Sequence, residues 1–424
     1  MNRIVSAVFA AASALALNGF AATGGTQASF ADFDRRANAG EDLSVVYFGA
    51  SLTYSANASD PATTGFRGLM SDYLLARYPK ARFRFHDAAI GGTPSMLGLF
   101  RMERDVLAKK PDLVFVDFVC NDGGDNVSVE NTCFYEQIVR TLVGRGIAVE
   151  QLFFTFKWWA EGGGEYEKRV PRQKLYRDIA AHYSTPYSDT YSLVKAKVDA
   201  GETTWAKVWP IDGGHPADYG YTLFFEAAKV AFEKAVADGT ACTVPEKPLY
   251  GEVVDVKRTR LADLALPKGW TREITFRNSL WFDGLSSRWM GDVARATAAS
   301  EPFALKAKGN VFALFGEADD NSALKVRFAV DGQANDVNFQ PNAGGRLFVF
   351  RPQFVMGWRE GADGEHEIAI SAVADEKRPN GEIRIESLMS GTVRPTAAGL
   401  NPNAVSNGKG KTLDEIDHAR GKKD

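Results

Sequence analysis

Several short segments of the sequence carry groups that could catalyse acyl transfer from an ester to a serine. Ser51 follows an apolar run at 45–48 and a glycine. Asp212 and His215 lie in a late loop, at a spacing that lets the carboxylate accept the imidazole Nδ1–H while Nε2 faces a serine hydroxyl. Acyl transfer by a serine needs such a base, a group that orients the base, and donors for the developing oxyanion.

Two intervening loops supply candidate donors for the oxyanion. The first contains the pair Gly91-Gly92, and the second contains Asn121-Asp122. Taken singly, each segment has a structural explanation: the serine as a helix N-cap, the glycine pair as a tight turn, the asparagine as a loop cap, and the histidine as a surface residue. Their joint occurrence in this order favours a catalytic site.

The elements that must position these groups form an alternating pattern between residues 42 and 238. Short apolar runs alternate with helical patterns, which is typical of a parallel sheet with crossover helices. The carboxyl ends of such strands share one edge, so the four segments can converge there. Strands are predicted at 45–48, 82–89, 113–119 and 151–156. Helices are predicted at 65–78, 99–110, 131–145, 170–183 and 217–235.

These motifs resemble those of the SGNH, or GDSL-like, serine hydrolase superfamily. The match covers Gly-Ala-Ser-Leu-Thr at 49–53, Ile-Gly-Gly-Thr at 90–93, Cys-Asn-Asp at 120–122 and Asp-Gly-Gly-His-Pro at 212–216. The resemblance implies a flavodoxin-like, three-layer α/β fold. It also implies a catalytic triad and an oxyanion hole, with the triad formed by Ser51, Asp212 and His215 and the hole by Ser51, Gly92 and Asn121.

The chain departs from the pattern of this superfamily at two places. Ala50 stands where the family name has aspartate, which removes a hydrogen-bonding partner in the loop and no catalytic group. The second block lacks its usual asparagine and has Asp87 or Ala88 instead, so Gly91 is an alternative to Gly92 as the backbone donor.

A second region follows a proline-marked linker at 243–248. Short alternating strands separated by turn signals predict an all-β sandwich, similar to the jelly-roll accessory modules of carbohydrate-active enzymes. We therefore expect a hydrolase domain at 42–242, an accessory domain at 249–395 and a disordered tail at 397–424. Trp281, Trp289 and Trp358 of the second region form either a sugar platform or part of its core.

Aromatic residues cluster in the loops around the predicted site. Trp158, Trp159 and Trp209 are candidate substrate-binding residues, because aromatic faces stack on sugar rings. The alternative is that these side chains fill the core. Three nearby cations could contact an acidic sugar or remain solvated: Lys157, Arg67 and Arg101.

Composition limits the partners and the compartment. The net charge of −3 over 424 residues does not favour nucleic acid as a partner. Residues 1–22 have the pattern of a secretory signal, and no segment is long and apolar enough for a membrane span. Three cysteines allow at most one disulfide, and the histidine and cysteine spacing indicates no metal site or other cofactor.

Together these features predict a secreted or periplasmic serine esterase. The aromatic loops and the export signal favour a carbohydrate O-acetylesterase acting on an acylated poly- or oligosaccharide. The same triad would also suit an acyltransferase or a lipid or aryl esterase, and a glycan-binding protein with a vestigial hydrolase domain is a further alternative. The glycan, the acyl position and the oligomeric state are left open by the sequence.

Overall fold

The structure is a computed structural model that describes residues 28–124, 127–275, 290–318, 322–337, 348–350, 353–357, 360–396 and 410–411. The predicted signal segment at 1–22 and the tryptophans Trp281, Trp289 and Trp358 lie outside the described residues. The predicted tail also lies outside them, apart from a two-residue strand at 410–411.

The first region contains a five-stranded parallel sheet in the order β2-β1-β3-β4-β5. Every residue of β1 except Asp42 is buried, as expected for a strand covered by helices on both faces. In this doubly wound order, β2 lies on one side of β1, and β3, β4 and β5 lie on the other. Ligand sites in such sheets form where the order reverses, at the carboxyl ends of β1 and β3. The strands are β1 (Asp42–Gly49), β2 (Arg82–Ala89), β3 (Leu113–Val116), β4 (Ala148–Phe153) and β5 (Tyr187–Asp189).

Helices cover both faces of this sheet. In the helix Phe66–Arg77, the side chains of Phe66, Met70 and Leu74 recur at a four-residue spacing and are buried against the sheet. The helices are α1 (Phe30–Asn38), α2 (Ser51–Tyr54), α3 (Phe66–Arg77), α4 (Ser95–Asp105), α5 (Val129–Gly144), α6 (Lys157–Ala160), α7 (Tyr166–Arg169), α8 (Pro171–His182), α9 (Thr190–Asp199), α10 (Trp205–Val208) and α11 (Asp218–Ala237).

The second region consists of two sheets whose strands pair antiparallel, except for β17, which lies parallel to β14. Phe328 and Ile370 of one sheet and Phe312 and Ile385 of the other belong to the same buried cluster, so the sheets face each other across a core. This confirms the predicted α/β region followed by a β-sandwich. One sheet contains β9 (Phe303–Lys308), β11 (Lys325–Val330), β12 (Gln333–Val337) and β15 (Glu365–Val373). The other contains β6 (Gly251–Arg260), β7 (Thr271–Ile274), β8 (Asp292–Thr297), β10 (Val311–Ala318), β13 (Phe348–Phe350), β14 (Gln353–Val355), β16 (Glu382–Pro395) and β17 (Gly410–Lys411).

The two regions are joined through a buried glutamate on α5. The Glu136 carboxylate accepts hydrogen bonds from the backbone N–H groups of Leu249, Tyr250 and Gly251, at 2.5, 2.7 and 3.2 Å. It also accepts one from the Tyr183 hydroxyl at 2.8 Å. The start of β6 is therefore held against the first region by a fully buried side chain that accepts hydrogen bonds from several donors.

Several features of the fold differ in detail from the sequence prediction. The helix α1 and the strand β6 were not predicted, and the third strand ends at Val116 rather than at residue 119. No disulfide joins Cys120, Cys133 and Cys242 in the described part of the chain, and all three side chains are buried. Among the described residues, no helix is long and apolar enough to cross a membrane.

Candidate active site

The site begins where β1 ends and the short helix α2 starts. Ser51 is the first residue of α2, and it lies two residues beyond Gly49. A side chain at Gly49 would put its Cβ 2.2 Å from Thr53 Oγ1 and 2.6 Å from the carbonyl oxygen of Asp117. Only glycine allows the turn to pack this closely against the end of β3, and this close packing places Ser51 at the carboxyl edge of the sheet.

The loop between α10 and α11 brings an imidazole to that serine. His215 Nε2 lies 2.9 Å from Ser51 Oγ, and His215 Nδ1 lies 3.3 Å from Asp212 Oδ2. The other carboxylate oxygen, Oδ1, accepts hydrogen bonds from the backbone N–H groups of Gly214 and His215 at 2.6 and 2.7 Å. The structure therefore brings together the three side chains that the sequence proposes as a triad, in a serine–imidazole–carboxylate array.

The electrostatics of the loop keep Asp212 ionised. Partial burial acts to raise the pKa of Asp212, but hydrogen bonds from the His215 backbone and the Asn57 amide, together with the nearby imidazole, lower the pKa below its usual value. An ionised carboxylate on Nδ1 favours the tautomer whose Nε2 can accept a proton from serine.

Asn57 is a site residue that sequence reasoning missed. Its side-chain Nδ2 donates to Asp212 Oδ2 at 2.7 Å and to the His215 carbonyl oxygen at 3.4 Å. The two partners lie more than 150 positions later in the chain, so no local pattern points to the contact. The one local signal is an asparagine in a Ser-Ala-Asn turn shortly after the serine.

The loops with the two candidate oxyanion donors lie on either side of Ser51. The strand β1 is flanked by β2 and β3, so the loop after β2, with Gly92, and the loop after β3, with Asn121, leave the same edge of the sheet. Gly92 has a φ of +69°, in the left-handed region that glycine adopts without strain. Asn121 is half-buried, and its backbone N–H donates to the Phe118 carbonyl oxygen at 3.1 Å.

The residue after Asn121 anchors its loop from inside. The buried Asp122 carboxylate accepts a hydrogen bond from the Ser95 backbone N–H at 2.8 Å and another from the Tyr176 hydroxyl. Burial raises the pKa of Asp122, while the Arg172 guanidinium and these hydrogen bonds act in the opposite direction. Asp122 thus has a structural explanation, which leaves Asn121 as the polar side chain of this pair with freedom to face a ligand.

A second buried carboxyl lies beneath the serine turn. Asp117 Oδ2 accepts a hydrogen bond from Thr53 Oγ1 at 3.0 Å, while Oδ1 has no hydrogen-bond partner among the described residues. Burial raises the pKa of Asp117 to about 7, and the Thr53 hydrogen bond offsets only part of this effect. The sequence read this position as part of an apolar strand and gave no indication of the role.

The three candidate tryptophans differ in exposure. Trp158 is 55% exposed, and its ring covers Gly213, where an added Cβ would approach Trp158 Cε3 to 2.8 Å. Trp159 and Trp209, in contrast, are 9% and 2% exposed and belong to the main core. These two buried side chains present no ring face to solvent, so the prediction that they contact substrate is not supported and is kept for Trp158 alone. Ile211, 68% exposed in the same loop as Asp212, is a second apolar rim residue, which the sequence analysis did not single out.

The three cations near the site have protein partners. Arg101 is 1% exposed and donates to the carbonyl oxygens of Ala88 and Gly49, at 2.7 and 3.0 Å. Arg67 pairs with Asp87 at 3.1 Å, and Lys157 lies 3.6 Å from the Glu161 carboxylate. The expectation that Arg101 either contacts an acidic sugar or is solvated is therefore wrong, because burial removes its guanidinium from both.

Comparisons with known proteins agree with this site. Residues 47–223 match the sequence model of the GDSL-like lipase/acylhydrolase family. These residues include every segment that forms the site, and they constitute a GDSL-like acylhydrolase domain. The protein is thus a serine hydrolase of carboxylic esters. No curated protein matches the chain by sequence.

Solved structures extend the likeness to both regions. A two-domain esterase (CEX) active on acetylated mannans, co-crystallised with mannopentaose, is 20% identical, with a TM-score of 0.68, and the match covers 85% of this chain and 93% of that chain. A second crystal structure of such an esterase gives 21% identity, a TM-score of 0.67 and coverage of 86% and 95%. An acetylxylan esterase, Axe2 from Geobacillus stearothermophilus, matches 45% of this chain and 94% of its own at 18% identity and a TM-score of 0.39. The two-domain matches establish the same overall fold.

Proposed function

We propose that Ser51, His215 and Asp212 form a catalytic triad that cleaves an ester through an acyl-enzyme. The observation that carries this proposal is the 2.9 Å distance between Ser51 Oγ and His215 Nε2, with Asp212 on the far side of the ring. At this distance the imidazole can accept the serine proton directly as the hydroxyl attacks. Asp212 orients the ring and stabilises the imidazolium that forms.

The first half of the reaction transfers the acyl group to the enzyme. Ser51 Oγ attacks the ester carbonyl carbon, and its proton moves to His215 Nε2. The tetrahedral intermediate then collapses, the bond from carbon to the alkoxy oxygen breaks, and the imidazolium returns the proton to the departing alcohol. In the second half, His215 removes a proton from water, the hydroxide oxygen attacks the acyl carbon, and the carboxylic acid leaves as Ser51 regains its hydrogen.

Backbone and amide donors would stabilise the charge on the carbonyl oxygen. We assign this role to the N–H groups of Ser51 and Gly92 and to the side-chain amide of Asn121. The positions of their loops on both sides of β1 support the assignment, because an oxyanion held above Ser51 would lie between them. Loss of one such donor typically lowers kcat by about 10²- to 10³-fold, so Asn121→Ala provides a direct test.

The proposed substrate is an O-acetylated poly- or oligosaccharide. Trp158 supports this choice, since an exposed indole beside the Asp212–His215 loop offers an apolar face to a sugar ring. The two-domain fold, shared over most of the chain with an esterase active on acetylated mannans, supports it independently. We also propose that the protein is exported, because the segment at 1–22 has the pattern of a secretory signal.

The test is acetate release from a panel of acetylated mannans, xylans, pectins, sialosides and mucins. We expect the wild-type protein to release acetate from at least one glycan and to hydrolyse p-nitrophenyl acetate, and we expect Ser51→Ala to do neither. Addition of unacetylated sugars as acceptors detects an acyltransferase, because acetyl transfer would then compete with hydrolysis. Glycan binding without turnover of any short-chain ester would instead indicate a binding protein and refute the esterase proposal.

A further inference from the structure

Asn57 lies in a loop that the rest of the domain holds firmly. Its φ is +70°, in the left-handed region that asparagine tolerates better than most residues. The neighbouring Ala56 carbonyl oxygen accepts a hydrogen bond from the buried Tyr221 hydroxyl of α11 at 2.7 Å. The Ala56 N–H donates in turn to the Ser51 carbonyl oxygen at 3.0 Å. The Asn57 amide is therefore fixed relative to both α11 and the serine turn.

This fixed amide reaches the two other members of the triad. Asn57 Nδ2 is 2.7 Å from Asp212 Oδ2, the same oxygen that faces His215 Nδ1, and 3.4 Å from the His215 carbonyl oxygen. The Asp212 side chain is 46% exposed, and a surface carboxylate held only by its own loop could leave this rotamer for water. The amide supplies a hydrogen bond to a charged acceptor from outside that loop.

We propose that Asn57 is a positioning residue, which holds the Asp212 carboxylate and the His215 backbone in a fixed position relative to Ser51. This inference rests on the proposed triad and adds to it a residue that touches neither the substrate nor the reacting atoms. The amide links the segment that carries the serine to the segment that carries the aspartate and the histidine. Without this link, the Asp212–His215 loop keeps its internal hydrogen bonds, and Asp218 and Tyr221 of α11 still bind the segment after the serine turn. The Asp212 carboxylate itself loses its hydrogen bond to that segment.

Two substitutions separate positioning from folding. Asn57→Gly accepts the positive φ and removes the amide, whereas Asn57→Asp keeps the shape and replaces the donor with a second carboxylate. Asn38 offers a matched control, because its Nδ2 also donates to an aspartate, Asp34 Oδ2, at 3.0 Å. It lies on α1, next to Arg36, whose Nη1 contacts Asp112 just before β3, at the opposite edge of the sheet.

We expect Asn57→Gly to lower kcat on p-nitrophenyl acetate by about 10- to 100-fold, with KM changed less than about twofold, because displacement of a catalytic group by about 1 Å has effects of this size. Asn57→Asp should also lower kcat and should shift the acidic limb of its pH profile upward, because the added negative charge favours the imidazolium. Asn38→Gly and Asn38→Asp should leave both kcat and the pH profile at wild-type values.

A second readout does not depend on turnover. In wild-type protein we expect a low-field proton resonance from the His215 Nδ1–H bound to Asp212, and we expect Asn57→Gly to lose or broaden it without a change in the unfolding midpoint. If wild type hydrolyses no ester but the resonance behaves in this way, the esterase proposal fails and the positioning role stands. A kcat within twofold of wild type, together with an unchanged resonance in Asn57→Gly, would overturn the positioning role.

Discussion

Replacement of Arg101 by methionine should weaken both the fold and the site. Its guanidinium donates to the carbonyl oxygen of Gly49, two residues before Ser51, and to that of Ala88, near the end of β2. It also donates to Asp105 Oδ2 at 3.2 Å. The Arg101 side chain has no exposed surface, and that of Asp105 is only 2% exposed. Methionine fills similar volume but donates no hydrogen bond, so two buried carbonyl oxygens lose a donor and a buried carboxylate loses a cation.

The expected magnitude follows from these contacts. A buried acceptor left without a donor costs about 1–3 kcal/mol, and a buried charge left unpaired costs about 3–5 kcal/mol. Both costs are upper limits here, because the Gly49 carbonyl oxygen keeps the Ile90 N–H at 3.1 Å and Asp105 keeps Arg104 as a partner. We therefore expect Arg101→Met to lower the free energy of unfolding by about 2–4 kcal/mol. Since the Gly49 carbonyl precedes the serine turn, kcat should also fall at temperatures where the variant stays folded.

Guanidinium unfolding followed by tryptophan fluorescence measures the first effect, and p-nitrophenyl acetate hydrolysis measures the second. The matched control is Arg104→Met on the same helix, since Arg104 also pairs with Asp105 but is 42% exposed. We expect that control to cost about 1 kcal/mol or less. If Arg101→Met loses no more stability than Arg104→Met and keeps wild-type kcat, the view that Arg101 supports the strand ends is wrong.

Three further predictions concern other buried or rim residues. The pKa of Asp117 is raised to about 7 from 3.8, so this carboxyl increasingly destabilises the folded state as the pH rises from about 4 to about 7. In unfolding experiments, Asp117→Asn should therefore be more stable than wild type by up to about 4 kcal/mol at pH 8 and by little at pH 4. A difference in stability that does not depend on pH would contradict this prediction. Trp158→Ala should raise KM for an acetylated glycan about 3- to 10-fold and leave p-nitrophenyl acetate kinetics nearly unchanged, whereas equal effects on both substrates would argue against sugar contact. Glu136→Gln should lower the free energy of unfolding by about 2–3 kcal/mol and speed proteolysis near residues 243–250, because an amide cannot accept all the donors at β6; unchanged cleavage and stability would refute the anchoring role.

The sheet and the site loops were predictable because their signals are local. The strand at 82–89 has the predicted bounds. The strand β1 contains the predicted run at 45–48, since continuous apolar and β-branched residues favour a buried strand. In the second region, the strand Lys325–Val330 shows the expected alternation of buried and more exposed residues and is followed by an Asp-Gly turn.

The features that were missed depend on contacts between distant segments. The strand β6 reads as polar, with Asp255, Lys257 and Arg258 in its interior, and is stabilised by pairing with β16 more than 120 positions later. The burial of Trp209 against Phe224, with ring centroids 5.9 Å apart, likewise depends on how α11 packs. Composition and periodicity do not encode such pairings, and this is why the sequence did not indicate that Trp159, Trp209 and Arg101 are buried.

The most direct test of the central claim is to trap the acyl-enzyme and locate the acyl group. Wild-type protein is mixed with p-nitrophenyl acetate, quenched in acid within the first turnovers, digested and analysed by mass spectrometry, with Ser51→Ala and His215→Ala in parallel. The arrangement of His215 Nε2 at 2.9 Å from Ser51 Oγ predicts one added acetyl group on the peptide that contains Ser51, and none in either variant. An acetyl group on another residue, or hydrolysis by Ser51→Ala at the wild-type rate, would contradict the account.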